Sequence, residues 1–171
     1  MERTKYLILI ILFFLGNQIF SQDKNIIYDS FVNNKMDNWK KLIDNLQKKE
    51  NKSDEQLLEL LNYQYGYIAW CLGNDKKDLA GDYLDVADEN VQILENKKYK
   101  LSMIYSYKAA FYGYRIGISK WKAPFIGPKS ESAANSALKN DPNNWFAYLQ
   151  MGNIRYYTPK IFGGSKSDAL V

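Results

Sequence analysis

The sequence predicts an all-α chain built of antiparallel helix hairpins. Three observations predict it. Apolar residues recur with the 3.6-residue period of a helix along most of the chain, and no stretch shows the strict alternation of a half-buried strand. A capping box, Ser53-Asp54-Glu55-Gln56, stands immediately before an apolar run. A stretch bearing Pro and Gly is used twice, each time after an aromatic-rich helix. It reads Pro124-Phe125-Ile126-Gly127-Pro128-Lys129-Ser130 and then Pro159-Lys160-Ile161-Phe162-Gly163-Gly164-Ser165, with the prolines 35 residues apart.

The chain opens on a short basic region, Arg3 and Lys5, followed by an unbroken apolar run over 6–15. Gly16 and Asn17 break the run, and Ile19-Phe20-Ser21 then offers a small residue. This is the three-part layout of a secretory signal peptide. The run is well short of the ~20 apolar residues that a membrane span needs. Cleavage is expected after Ser21, so residues 1–21 are a signal peptide and 22–171 a single helical domain, exported to the periplasm or outside.

Residues 26–49 read as a helix pair around Phe31, Trp39, Leu42, Ile43 and Leu46. From Asp54 a longer helix carries two apolar stripes, one through Leu57, Leu58, Leu61, Tyr65, Ile68, Ala69 and Leu72, the other through Leu60, Tyr63, Tyr67 and Trp70. A helix apolar on two faces lies between others. Gly73-Asn74-Asp75 ends it. In the next helix Leu79, Ala80, Tyr83, Leu84, Ala87, Val91 and Leu94 share one arc, opposite Asp78, Asp82, Asp85 and Glu89. A helix over 99–120 carries the small residues Ser102, Ser106, Ala109, Gly113 and Gly117. Glycine inside a helix costs up to about 1 kcal/mol against alanine, so this stripe predicts tight helix packing. Pro128 suits the first position of a helix that runs to Asn140, which makes 124–130 a long turn. A last full helix begins near Asn144 and ends before Pro159. Residues 165–171 read as the first turns of another helix, so the final repeat is expected to be incomplete.

Composition excludes more than it suggests. Of 171 residues 46% are hydrophobic, with 4 Pro and 10 Gly, which rules out a disordered or collagen-like chain. No histidine is present, so imidazole bases, His-dependent nucleophiles and His metal ligands are absent. The single cysteine, Cys71, excludes an intramolecular disulfide and a Cys-rich zinc site. Its apolar neighbours predict a buried, inert thiol, with an intermolecular disulfide as the other option. The four acids opposite the apolar arc point outward from a regular helix and do not converge on a metal. Gly127-Pro128-Lys129-Ser130 has Lys122 where a phosphate-binding loop needs Gly. No enzyme activity, metal or cofactor is expected.

Charge is uneven. Residues 53–97 hold 3 basic and 10 acidic groups, and residues 98–171 hold 11 basic and 3 acidic. Such poles steer a partner or favour head-to-tail association, although solvated outer faces explain them equally. No nucleic-acid role is expected beside the acidic middle.

Ala134-x-x-Ala137-Leu138-x-x-Asp141-Pro142-x-Asn144-x-x-Ala147-Tyr148-x-x-x-Gly152 resembles the second helix of one tetratricopeptide repeat running into the first helix of the next, and the period near 34 residues is that of this family. Residues 57–87 resemble a further repeat more loosely. The pattern Gly152-Asn153…Pro159…Phe162-Gly163-Gly164…Ala169 is similar to exported bacterial tetratricopeptide-like proteins, including the periplasmic component associated with TRAP-type transporters. The resemblance implies an α-solenoid with a concave surface that binds a protein or peptide, and no catalytic residues. Tyr112, Arg115, Lys120, Trp121, Lys129, Tyr148, Asn153, Arg155, Tyr156 and Lys160 are the candidate binding residues. Arg115 and Arg155 suit bidentate recognition of a carboxylate or phosphate, and Lys129 and Lys166 stand at expected helix N-termini, which attract anions. A small anionic ligand, bound as an accessory to transport, is therefore the alternative to a protein partner.

Overall fold

The computed structural model describes residues 22–169; the expected signal segment, 1–21, and its cleavage site lie outside the described residues. The described residues are all-α, with no strand among them. The chain divides into two compact units, Met1–Glu50 and Asn51–Val171.

In the first unit a helix over 22–32 (α1) is followed by α2 (Met36–Lys48). Ser30 Oγ bonds back to the Ile26 carbonyl at 2.6 Å, and Lys40 pairs with Asp44 at 2.8 Å along α2. Met36, Trp39 and Ile43 are buried on α2. Leu42 and Leu46 are half-buried, and Phe31, expected in this core, is exposed instead.

The second unit holds α3 (Asp54–Gly73), α4 (Lys77–Asn96), α5 (Leu101–Ile118), α6 (Ala123–Asn140) and α7 (Trp145–Tyr157). Two short 3-10 turns, Lys120–Lys122 and Lys160–Phe162, follow α5 and α7. Both halves of the predicted capping box form at the start of α3: Gln56 N–H donates to Ser53 Oγ at 3.2 Å, and Ser53 N–H to Gln56 Oε1 at 3.0 Å. The centres of both stripes of α3 are buried, with Leu60, Leu61 and Ile68 at 0% exposure, whereas Ala69, expected on the first stripe, is exposed. Burial of each such side chain contributes roughly 1.5–3 kcal/mol. On α4 the predicted arc is buried from Ala80 to Leu94, apart from half-buried Leu79.

Three helix ends close the same way. After α1, α3 and α4 one residue takes a left-handed conformation, Asn34 (φ 54°), Asp75 (φ 56°) or Lys98 (φ 54°). The next N–H then reaches back five residues: Lys35 to Ser30 at 2.7 Å, Lys76 to Cys71 at 2.9 Å, Tyr99 to Leu94 at 3.0 Å. This is the Schellman closure, built here without glycine.

Helix α5 is the centre of the unit. It packs with α3 and α4 on one side and with α6 and α7 on the other, and α3–α4 and α6–α7 pack as pairs. Charged groups fasten α5 to α4: Lys108 pairs with Glu95 at 2.7 Å, and Arg115 with Asp88 and with Asp85, the latter at 2.9 Å. Small residues fasten it to α6. Ser102 Oγ donates to the Ala137 carbonyl and Ser130 Oγ to the Ala109 carbonyl, both at 2.8 Å. Ala109, Ala133 and Ala134 close the gap between them.

Two expectations need correction here. Residues 124–130 are not a long turn: α6 starts at Ala123, with Pro124 in its first turn and Pro128 inside the helix. Pro124 lacks the N–H that the first turn would leave unpaired anyway, so helix formation loses nothing there. The second copy of the motif, with Phe162 inserted and Gly163-Gly164 in place of Gly127-Pro128, forms a 3-10 turn instead. Gly163 adopts φ 87°, and a Cβ on Gly164 would overlap the Thr158 carbonyl oxygen. Two similar segments therefore take two structures. The other correction concerns Gly113 and Gly117. Both are exposed, and a Cβ at Gly113 would meet open space. The tight packing belongs to Ser102 and Ala109 on the same stripe.

Candidate partner- and ligand-binding surface

The layer α3–α5–α7 is held together by aromatic rings. Tyr65 on α3 stacks on Tyr114 of α5 at 5.4 Å and meets Phe146 of α7 edge-on at 5.3 Å. Tyr107 of α5 meets the same Phe146 ring at 4.9 Å. Tyr107 OH donates to Asn62 Oδ1 at 3.1 Å, and Tyr114 OH to the Tyr65 carbonyl at 3.4 Å. Burial pushes both phenols well above the ordinary tyrosine range.

On the side of this layer away from α4 and α6, the helices present small residues. Along α3 the stripe is Asn62, Gly66, Ala69 and Gly73, at helical spacing, and opposite it Gln64 accepts a bond from Asn90 of α4 at 3.1 Å. Along α5 it is Gly113 and Gly117, while Lys108 and Arg115 turn to α4. Space beside Gly73 and Gly113 is open. On α7 the exposed Leu149, Asn153 and Tyr157 border this floor. Sequence reading missed it because it took the glycines of α5 for packing residues. The matching Asn62-Gly66-Ala69-Gly73 stripe was the available signal.

The predicted binding residues scatter over α5, the turn after it, α6, α7 and the segment after α7. Tyr112 is half-buried against Ala109, Ala133 and Ala134. Arg115 faces α4, and although burial opposes its charge, the bonds it donates to Asp88 and Asp85 raise its pKa; its Nε and Nη2 donors are taken within the fold. Lys129 is exposed on α6, beyond the first turn rather than at the helix start. Lys120 and exposed Trp121 lie in the turn after α5, with Lys122 Nζ 5.7 Å from the Trp121 ring centre. Tyr148, Asn153 and Arg155 are exposed on α7.

Tyr156 and Lys160 of the set share a cavity. It measures about 620 Å³ and is also lined by Tyr157, Thr158, Pro159, Gly164, Ser165, Lys166 and Ser167. Lys166 Nζ lies 5.0 Å from the Tyr156 ring centre. Ser165 N–H donates to the Arg155 carbonyl at 3.0 Å, and Ser165 Oγ accepts from Asp168 N–H at 3.2 Å. The second motif thus folds back on the end of α7, and one helical turn follows, closed by the bond from Ala169 N–H to the Ser165 carbonyl. Among the described residues no cluster of acids or Cys is placed to hold a metal, and no helix is long and apolar enough to cross a membrane.

Comparison with protein-family models, with curated proteins and with solved structures finds no match to this chain.

Proposed function

We propose that the protein is an exported helical-repeat scaffold, an α-solenoid of the tetratricopeptide type, that binds an extended peptide segment of a protein partner on the α3–α5–α7 layer. The observation that carries this reading is the floor of small residues, Asn62, Gly66, Ala69 and Gly73 beside Gly113 and Gly117, which lets another backbone approach closely. Glycine weakens the helices that contain it, and its Cβ space at Gly113 is unused by the fold itself. The three-part layout of residues 1–21 supports export.

The test is in-cell crosslinking of the tagged full chain followed by mass spectrometry, with Gly113→Leu as the comparison. One dominant protein partner, lost in Gly113→Leu while the melting temperature holds, is the expected result. A partner retained at the wild-type level, or no protein partner at all, would overturn the reading.

A second reading has its own support. The cavity between Lys160 and Lys166 joins two cations with the Ser165 and Ser167 hydroxyls, which suits a small carboxylate or phosphate. Native mass spectrometry of the purified protein tests it: an anion retained by the wild type and lost in Lys160→Ala/Lys166→Ala supports it.

A further inference from the structure

The end of the second unit where α5 passes into α6 carries unusual exposure. Helix α6 returns antiparallel between α5 and α7, so the turn after α5, the start of α6 and the segment after α7 lie at one end. Large apolar side chains stand out into solvent there: Trp121 and Phe125 are 71% exposed, Tyr157 79%, Ile161 85% and Phe162 71%. Basic residues surround them, Lys120, Lys122, Lys129, Arg155, Lys160 and Lys166, with Asp168 as the one acid in 119–129 and 155–168.

We propose that this end docks on an anionic lipid bilayer, the aromatic and aliphatic side chains entering the headgroup boundary and the lysines meeting lipid phosphates. Charge complementarity selects an anionic surface. The shape selects a lipid one, because these side chains project from two separate stretches, 121–125 and 157–162, instead of converging in one groove. A fluid interface accepts protruding side chains without a matching surface, whereas a protein must supply one pocket for each. Trp and Tyr have an apolar ring and a polar edge, and Lys an apolar stem and a charged head, which is the division a headgroup region satisfies. The proposal does not rest on the peptide reading: Tyr157 borders both surfaces, and the variants tested below leave it unchanged.

The experiment uses the full chain with vesicles of phosphatidylcholine alone and with added phosphatidylglycerol. All proteins compared share residues 1–21, so any affinity of the 6–15 run cancels. Binding to the anionic vesicles is expected to fall at least tenfold in Lys120→Glu/Lys122→Glu/Lys160→Glu and at least tenfold in Ile161→Ala/Phe162→Ala, with helix content by circular dichroism unchanged. Brominated lipid is expected to quench wild-type tryptophan fluorescence, and Trp121→Phe to remove most of that quenching. Wild-type affinity in the charge-reversed protein, or quenching that survives Trp121→Phe, would overturn the proposal. So would dimerisation of the wild type in sedimentation that Ile161→Ala/Phe162→Ala abolishes, because the end would then be an interface between copies.

Discussion

The side-chain amide of Asn144 donates to Ser102 Oγ at 2.7 Å, joining the start of α7 to the first turn of α5 across 42 residues of chain. It also reaches Ser106 Oγ at 3.2 Å, while its Oδ1 accepts the N–H groups of Phe146 and Ala147. Ser102 in turn holds the Ala137 carbonyl. One residue thus caps α7 and locks three helices in register.

Asn144→Ala should therefore cost more than an ordinary cap. Loss of the cap alone is worth ~1 kcal/mol, and the hydroxyls left behind in the interior add a further ~1–2 kcal/mol. Asn144→Asp keeps the acceptor and loses the donor, so it should fall between the two. Urea denaturation of the three proteins orders them.

Arg115→Ala should destabilise the protein without touching ligand or partner binding. The guanidinium is part-buried and holds two carboxylates, so a cost of about 1–2 kcal/mol is expected, above the ~0–1 kcal/mol of an exposed pair. A double-mutant cycle with Asp88→Ala should return a coupling near 1 kcal/mol. Additive losses would mean that the pair contributes nothing.

Stability should decline above about pH 10. Burial holds the folded-state pKa values of Tyr107 and Tyr114 above the ordinary tyrosine value of about 10. Raised values favour the protonated phenol in the folded protein, so this stabilisation is complete below pH 10. Above it the unfolded chain loses protons first, and each phenol then removes ~1.4 kcal/mol per pH unit. Absorbance at 295 nm during alkaline titration should show two phenols ionising only as the helices melt.

Gly113→Ala should stabilise the protein by up to about 1 kcal/mol. The new methyl meets open space, and alanine reduces the entropy lost on helix formation. Thermal melting checks this, and a lowered melting temperature would mean that the site is closer packed than its geometry shows.

Lys98→Gly should also stabilise, by about 1 kcal/mol, because lysine pays a steric cost at φ 54° that glycine avoids. Asp75→Gly should gain less, since a short polar side chain tolerates that conformation better.

Helix type and order were legible because each long helix announces itself. Ser53 and Gln56 mark a start, the arc from Ala80 to Leu94 marks a buried face, and Asp141-Pro142 with Asn144 marks a stop and a restart. The turn before α6 was misread because Pro128 looks like a helix start, while Pro124, four residues earlier, fills that role. The binding surface was less legible. Arg115 is chemically suited to an anion, but Asp85 and Asp88 on α4 reach it first, and pairings 30 and 27 residues apart leave no local pattern. Gly113 and Gly117 report closeness only if something approaches, and here an added Cβ at Gly113 would meet open space and one at Gly117 would meet the Leu72 side chain at an ordinary 3.7 Å.

Cys71 is fully buried on α3, and burial raises its thiol above the ordinary range. It is the single sulfhydryl in the sequence. A thiolate must form and reach solvent before it can attack a disulfide, so the folded chain is shielded from covalent cross-linking in any oxidising compartment. The hazard is confined to molecules that have not yet folded or have opened at α3. The labelling rate of this one sulfur by a thiol reagent is consequently a clock for that opening, and no engineered probe is needed to read it.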